Sequence, residues 1–184
     1  MFVQKGYNGT SINDITQKVG VTKGALYSYF SGKKDLLIRI IDEFEVQYID
    51  RMAETISRKK GSPIDRLYEA FKFASRFVLE NQNLCVFLTF MSIELKADMD
   101  LEPLLKRSYR KYQKSISQII SEGIKLKQFK KSFDPDLVAL SFIATHDGVL
   151  NHWVLNQNQL DGDFYARTFR EIFISGLLEP VETV

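Results

Sequence analysis

The sequence predicts an all-α protein in which a small N-terminal helix-turn-helix unit precedes a larger helical bundle. Apolar residues recur at the three- and four-residue spacing of amphipathic helices, and strand-like alternation is essentially absent. Pro63, Pro103 and Pro135 stand where helices are expected to begin, and a proline in a first helical turn loses no hydrogen bond. The length of 184 residues accommodates both units.

The expected helices after the N-terminal unit are long and separated by short polar or glycine-containing breaks. The first of them should run over residues 33–58, with Asp35 near its positive dipole end. Later helices are expected over residues 63–80, 84–97, 101–127, 136–156 and 164–178.

The N-terminal unit begins with a short amphipathic helix. Ile12, Ile15 and Val19 recur at helical spacing and should form one apolar face. Thr10 or Ser11 can cap this helix, and Ser11 with Asp14 three residues later forms a variant of the capping box.

A tight turn should follow, because Gly20 tolerates the positive φ that a sharp interhelical turn needs. We expect Val21 to fill the angle between the helices and Thr22 to cap a second helix over residues 22–28. That helix should bury Leu26. It leaves small or polar side chains available to a partner, namely Lys23, Gly24, Ala25 and Tyr27. This layout is typical of a helix that reads the DNA major groove.

Charge is unevenly distributed along the chain, although the net charge is only +2. Across the first 34 residues Asp14 is the single acid, and it faces five lysines: Lys5, Lys18, Lys23, Lys33 and Lys34. Basic charge is therefore concentrated where phosphates would lie. A solvated lysine-rich surface is the alternative interpretation of the lysines taken alone.

The run GVTKGALYSYFSGKKDLL resembles the DNA-binding module of the tetracycline-repressor (TetR) family of bacterial transcription regulators. The matching elements are Gly20-Val21, Thr22-Lys23-Gly24, Leu26-Tyr27, Tyr29-Phe30, Lys33 and Leu36-Leu37. The strong match covers about 30 residues, and the remainder agrees in length and helical character. The resemblance implies a DNA-binding domain over residues 1–45 and an effector-binding and dimerisation domain over residues 46–184.

The resemblance also implies the DNA contacts. Base edges or nearby backbone would meet the start of the second helix, tyrosine hydroxyls would reach phosphates, and a lysine would add charge at the start of the long helix. The expected DNA-binding residues are Thr10, Ser11, Thr22, Lys23, Gly24, Ala25, Tyr27, Tyr29 and Lys33.

Three features depart from the family pattern. Family members usually place a full helix before the turn, whereas here residues 1–5, with Phe2 as the large anchor, are all that could belong to it. The first helix is therefore expected to be largely missing, through a late start or a trimmed amino end. Thr16 stands where alanine is usual, and Gly32 stands where a better helix cap often sits.

A monomer with so few contacts would bind DNA weakly, so we expect a two-fold homodimer. Two stripes on the C-terminal helices could form a four-helix interface. They consist of Leu137, Leu140, Ala144 and Gly148 and of Tyr165, Phe169, Ile172 and Phe173. The alternative is that one stripe packs inward within the same chain.

Large aromatic residues are frequent in the middle of the chain, and the resemblance implies that some of them surround a cavity for a small lipophilic or aromatic inducer. The expected lining residues are Phe77, Phe87, Phe90, Met91, Glu94, Tyr112, His146 and Trp153. Glu94 could neutralise a cationic ligand, or it could lie at a helix edge paired with a base. Asp147 and Asn151 are further polar residues in an otherwise apolar helix.

Enzymatic classes find no support in the sequence. No histidine or carboxylate spacing suits a metal site, and no phosphate-binding glycine loop or nucleophile elbow occurs, so we expect neither catalysis nor a metal or cofactor. The single cysteine, Cys85, suits a reducing cytoplasm, and no signal peptide or membrane span is evident. The preferred interpretation is a DNA-binding repressor that a small molecule releases from its operator. The alternative is a ligand-binding, dimerising helical protein that has lost DNA binding through its shortened first helix.

Overall fold

The computed structural model of the protein describes residues 1–95, 101–156, 159 and 161–179, with the backbone alone at 90–95. This part of the chain is helical throughout, apart from turns and one isolated bridge between Phe129 and Leu178. The all-α prediction is therefore confirmed. Within the described ranges, no helix has an apolar stretch long enough to cross a lipid bilayer.

The helices follow the predicted order closely. They are α1 (Phe2–Lys5), α2 (Ile12–Val19), α3 (Lys23–Tyr27), α4 (Lys33–Phe44), α5 (Arg51–Arg58), α6 (Pro63–Glu80), α7 (Gln82–Leu95), α8 (Leu101–Lys125), α9 (Pro135–Leu155) and α10 (Gly162–Leu177). A π-helical turn, Glu45–Asp50, joins α4 to α5, so that one continuous helix occupies residues 33–58.

Side-chain caps fix where the bundle helices begin. Ser62 and Asp65 form a reciprocal capping box at the start of α6, and Pro63 is the first residue of the helix. Asp134 and Asp161 each accept two backbone N–H bonds at the starts of α9 and α10. These short-range contacts explain why the predicted starts agree with the structure to within a few residues.

The main core lies among α5, α6, α8, α9 and α10. Phe129 and Phe142 are among its largest fully buried side chains. Gly123 makes room for Phe129, because a Cβ at this glycine would lie 2.0 Å from the ring atom Cδ2. Close approach of α8 to the following turn therefore requires glycine at this position.

A second cluster lies beneath the N-terminal unit. It contains Leu37 and Ile41 of α4, Phe87 and Leu88 of α7, and Leu101 and Leu105 of α8. The ring of Phe2 stacks on that of Phe87 with 5.4 Å between centroids. This cluster holds α1 and α4 against the bundle.

Candidate DNA interface and ligand cavity

The cap of α2 is formed as the sequence predicts. The Ser11 hydroxyl accepts a hydrogen bond from the Asp14 N–H at 3.1 Å, and the Asp14 carboxylate accepts one from the Ser11 N–H at 2.9 Å. Lys5 pairs with the same carboxylate at 2.7 Å. The hydrogen bonds from Lys5 and Ser11 hold the pKa of Asp14 well below its ordinary value. Lys5 is therefore engaged within the protein.

Gly20 turns the chain between α2 and α3 with φ of 72°. Its N–H and that of Val21 both donate to the Thr16 carbonyl, which closes the end of α2. Thr22 then caps α3 by accepting a hydrogen bond from the Ala25 N–H at 3.1 Å. Backbone and side-chain contacts within a few residues thus set the angle between the two helices.

The outer face of α3 is small, polar and exposed. Leu26 is buried and anchors the helix, whereas Thr22, Lys23, Gly24 and Ala25 are exposed. Exposed tyrosines flank this face, with Tyr27 53% and Tyr29 83% accessible. A slim helix with a single lysine and two exposed tyrosines fits a major groove and its phosphate borders.

Two lysines beside the turn have no partner within the described part of the chain, Lys18 at the end of α2 and Lys23 at the start of α3. Lys33 differs from them, because its ammonium donates to the Tyr7 carbonyl at 2.7 Å and lies 4.3 Å from the centre of the Tyr7 ring. Lys33 therefore joins the start of α4 to the loop before α2.

The continuous helix over residues 33–58 connects this surface to the bundle interior. At its first end it carries Lys33, and near its middle it presents Phe44, Tyr48 and Ile49 to a cavity. The π-helical turn adds one residue to a helical turn at this point and changes which side chains face inward.

An ion-pair network fixes the π-helical turn to α8. Glu45 accepts hydrogen bonds from Ser108 at 2.6 Å and Lys111 at 3.2 Å, and it pairs with Arg107 at 3.2 Å. Burial acts to raise the pKa of Glu45, but these donors outweigh it and lower the pKa. Arg107 also pairs with Asp42, and Lys111 also pairs with Asp50. Arg107 and Lys111 of α8 are thus paired with acids on α4 and the π-helical turn.

The first cavity lies between this helix and α6, α7, α8 and α9, and its free space amounts to about 700 Å³ when the open solvent at its mouth is included. Its walls are aliphatic and aromatic with a few polar groups. The aromatic side chains are Phe44, Tyr48, Tyr109 and Tyr112, and the polar ones are Thr89, Ser108, His146 and Asp147. Such a mixture is typical of a site for a lipophilic small molecule.

Burial changes the protonation of two groups on α9. It raises the pKa of Asp147 to about 6 and lowers the pKa of His146 to about 4, because both charged forms lose hydration. Nδ1 of His146 is buried and has no hydrogen-bond partner. His146 is therefore neutral near pH 7. Asp147 retains its charge there, although burial disfavours that charge.

A second cavity of about 580 Å³, open solvent included, lies on the other side of His146 between α6, α9 and α10. Val78, His146 and Leu150 line both cavities. These three side chains form the partition between the two spaces.

Comparison with known proteins agrees with both halves of this architecture. The family model for bacterial regulatory proteins of the tetR family matches residues 1–40. The model for the C-terminal part of BetI-type transcriptional repressors matches residues 66–177, which is more than half of the chain. The chain belongs to the TetR family.

Relatives of known sequence or structure cover nearly the whole length. The fatty acid metabolism regulator protein of Bacillus subtilis (strain 168) is 25% identical over 96% of this chain and 90% of its own. The repressor DhaR of Mycobacterium sp. (strain GP1) is 26% identical over 100% of this chain and 90% of its own.

Two solved structures are similar over the same extent. The MbdR regulator from Azoarcus sp. CIB superposes with a TM-score of 0.86 at 26% identity, covering 97% of this chain and 93% of that one. FadR from Bacillus subtilis, in complex with stearoyl-CoA, gives a TM-score of 0.80 at 25% identity, covering 96% and 93%.

Within this TetR-family module, three expectations need correction. Thr10 is 1% exposed and its hydroxyl donates to the Gly6 carbonyl at 2.7 Å, so it supports the scaffold and does not face DNA. Val19 is 62% exposed because it is the last residue of α2, where the chain turns away. Val21 is 44% exposed and does not fill the interhelical angle. Thr16 is buried, and its hydroxyl donates to the Ile12 carbonyl at 3.0 Å.

The predicted ligand residues separate into three groups. Tyr112 and His146 line the first cavity, and His146 and Trp153 line the second. Phe77 and Phe87 line neither, because Phe77 packs behind Tyr48 and Phe87 packs under Phe2. The third group consists of Phe90, Met91 and Glu94, whose side chains lie outside the described part of the chain.

The predicted stripe on α10 was assigned partly to the wrong face. Phe169 and Phe173 pack inward against Phe71, with ring centroids 5.7 and 5.6 Å away, and Tyr165 lines the second cavity. Ile172 is 66% exposed. This was the alternative that the sequence left open, since a helix with apolar residues on two faces does not show which face is internal.

The stripe on α9 does face outward. Leu137 and Leu140 are 63% and 47% exposed, Ala144 is exposed, and a Cβ at Gly148 would meet nothing within 4 Å. Phe164, at the start of α10, is 64% exposed and was not predicted. Together with Ile172 these side chains give an apolar outer face on α9 and α10.

Sequence reasoning missed Tyr48 and Tyr109 as cavity residues and left Asp147 without a role. The signal for Asp147 was present, because a single acid interrupts a run of apolar residues in α9. The tyrosines gave no comparable signal, since aromatic residues are common in ordinary cores.

Proposed function

We propose that this protein is a homodimeric transcriptional repressor that binds an operator through α3 and releases it when a lipophilic small molecule fills the first cavity. Residues 1–45 serve DNA binding and residues 46–184 serve effector binding and dimerisation. The observation that carries the proposal is the continuous helix over residues 33–58, which begins at the DNA-facing surface and lines the cavity at Phe44, Tyr48 and Ile49.

The DNA contacts in this proposal come from exposed side chains. Lys23 donates to guanine acceptors, while Gly24 and Ala25 allow close approach of the helix. Tyr27, Tyr29 and the Ser11 cap lie on the phosphate borders. Lys33 contributes charge while it remains bound to the Tyr7 carbonyl. Thr10 is removed from the contact set because it is buried.

Two supports favour a lipophilic ligand over a catalytic role. The cavity walls are mostly apolar and aromatic. The FadR relative was crystallised with stearoyl-CoA, and other relatives carry names of transcriptional repressors. We therefore assign no enzymatic activity and place the protein in the cytoplasm with its DNA.

The dimer in this proposal uses the apolar outer face of α9 and α10. Leu137, Leu140 and Ala144 would meet Phe164 and Ile172 of a second copy across a two-fold axis. Two copies of α3 would then lie on half-sites about one helical turn of DNA, or a multiple of it, apart.

Release follows from differential binding to two arrangements of the bundle. A ligand that favours one arrangement would tilt the helix over residues 33–58 and change the separation of the two α3 helices. The ion pairs between Glu45 and α8, and the stacking of Phe2 on Phe87 of α7, join the module to helices that line the cavity and would shift with them.

The proposal is tested by titrating a labelled fragment of the protein's own promoter with the protein, with and without compounds that raise its melting temperature. Specific ligands raise that temperature by mass action. The proposal predicts that such a compound weakens promoter binding at least fivefold. Independent binding of compound and promoter would refute it.

A further inference from the structure

Asp147 is the one carboxylate among the described residues that line the first cavity. It lies on α9 between the buried side chains of Ile143 and Leu150. Neither a hydrogen bond nor an ion pair joins it to any residue that the structure describes, and desolvation is the sole influence on its pKa. A partly buried acid that has lost much of its hydration and has no partner is costly, so such a group calls for an explanation.

The neighbouring polar groups do not neutralise this carboxylate. The hydroxyls of Tyr48 and Tyr112 are hydrogen-bonded to each other at 2.9 Å. His146, the next residue, is neutral near pH 7 because burial lowers its pKa to about 4. Charge compensation is therefore absent from this part of the wall as the structure describes it.

The described walls of the cavity carry no strong base. No lysine or arginine occurs among the described lining residues. Arg107, which precedes the lining residue Ser108, and Lys111, which precedes Tyr112, pair with acids of α4 and the π-helical turn, namely Asp42, Glu45 and Asp50. Among the described lining residues, a ligand that enters the cavity thus meets one unpaired carboxylate and no positively charged side chain.

The rest of the wall suits a positive charge. Phe44 and Tyr48 are stacked with centroids 5.0 Å apart, and Tyr112 meets Tyr48 edge to face at 5.4 Å. Aromatic faces attract organic cations, and the attraction grows when the cation is desolvated. Aliphatic side chains, such as Ile41 and Leu105, complete the wall and favour an apolar body.

We infer that the first cavity takes an apolar ligand bearing a protonated amine, and that Asp147 is the anion that pairs with this amine. The inference rests on the proposed function and names the class of its ligand. An unpaired charge inside the cavity loses hydration without compensation. The ammonium of the ligand and the carboxylate of Asp147 would compensate each other for this loss. Fatty carboxylates are disfavoured at the same place by like charge.

Three compounds of equal chain length test the inference: n-decylamine, n-decanol and sodium decanoate, each titrated calorimetrically at pH 7.5 below its micelle concentration. The full-length protein should bind the amine at least tenfold more tightly than the alcohol, and the carboxylate most weakly. In Asp147→Asn the preference for the amine over the alcohol should fall below twofold, and decanoate should bind more tightly than to the parent protein.

Two variants serve as controls. Asp163→Asn makes the same change at the acid that lines the second cavity, and should leave the preference for the amine unchanged. Asp147→Glu keeps the charge and should retain most of the preference. Circular dichroism melts establish that each variant is folded.

Equal binding of amine and alcohol by the parent protein overturns the inference, and this comparison requires no variant. An unchanged preference in folded Asp147→Asn overturns it as well. Promoter titration separates this failure from failure of the proposed function. If n-decanol releases the promoter as well as n-decylamine does, the protein remains a ligand-responsive repressor and only the ligand class is wrong.

Discussion

The N-terminal module and the cavity bundle differ in the range of the contacts that build them. In the module, Ser11 bonds Asp14, Gly20 bonds Thr16 and Thr22 bonds Ala25, all within four residues. In the bundle, the Tyr48 hydroxyl meets that of Tyr112, 64 positions away. A surface made by local contacts can be predicted from a short motif, whereas a cavity depends on how distant helices pack.

The two regions also treat polar groups differently. The module places Lys18 and Lys23, together with Tyr27 and Tyr29, in solvent, where an unpaired charge costs little. The bundle places Asp147 and His146 in an apolar interior, where each shifts its pKa. We therefore expect substitutions in the bundle to change stability and those in the module to change DNA affinity.

The largest effect should come from Phe142→Ala in the bundle. Phe142 is fully buried and packs against Phe71 with centroids 4.6 Å apart. Truncation should lower the free energy of unfolding by about 3–5 kcal/mol, measured by urea denaturation. Tyr29→Ala in the module is the matched control and should change it by less than about 0.5 kcal/mol. Equal losses of unfolding free energy in the two variants would show that the bundle and the module contribute equally to stability.

Asp147→Asn should stabilise the protein at neutral pH. The pKa of Asp147 is raised from 3.8 to about 6, because the folded protein favours the neutral, protonated carboxyl. The stability that this proton contributes is fully present below pH 3.8 and is lost as pH rises through 6. Removing the charge should therefore add about 2–3 kcal/mol at pH 7.5 and almost nothing below pH 4.

His146 produces the opposite trend in the same range. Its pKa is lowered from 6.5 to about 4, so its contribution to stability is present above pH 6.5 and falls as pH drops toward 4. The two groups thus offset each other between pH 4 and 6.5, so the parent protein should lose less stability on acidification than Asp147→Asn does. Parallel pH profiles for the two proteins, from urea melts, would contradict this account.

Lys23→Ala should weaken promoter binding by about 1–3 kcal/mol and leave the melting temperature unchanged, because Lys23 is exposed and without a partner among the described residues. Fluorescence anisotropy with a labelled promoter fragment measures the loss. Lys131→Ala, an exposed lysine remote from the module, is the control. A similar loss in both variants would indicate a general effect of positive charge and would contradict a specific contact between α3 and the promoter.

The smallest effect should come from Ser11→Ala, which removes the cap of α2. We expect a loss of about 1 kcal/mol, confined to the module and visible as faster amide hydrogen exchange in α2 and α3. Exchange in α8 and α9 should not change. Faster exchange throughout the chain would show that the module and the bundle unfold as one unit.

The sequence was sufficient for the elements with local signals. Pro63 placed the start of α6, and Gly20 with Thr22 placed the turn that positions α3. In each case the helix cap or the positive φ favours a few residue types, which can be recognised in the sequence. The family motif from Gly20 to Leu37 supported the same prediction, because it covers the turn and α3.

The remainder depends on packing that no local pattern encodes. Apolar residues on both sides of α10 did not reveal that Phe169 and Phe173 face inward while Ile172 faces outward. The π-helical turn at Glu45–Asp50 is fixed by ion pairs to Arg107 and Lys111, more than 55 positions away. For the same reason, Asp147 could be noted in the sequence but not placed on a cavity wall.

The coupling between the cavity and α3 is tested most directly by measuring the affinity of one ligand for the free protein and for the protein saturated with promoter DNA. The ligand is a compound that raises the melting temperature, and calorimetry gives both affinities. The account predicts that promoter DNA weakens ligand binding at least fivefold, by the same factor as the ligand weakens promoter binding. Identical ligand affinities in the two states would contradict it.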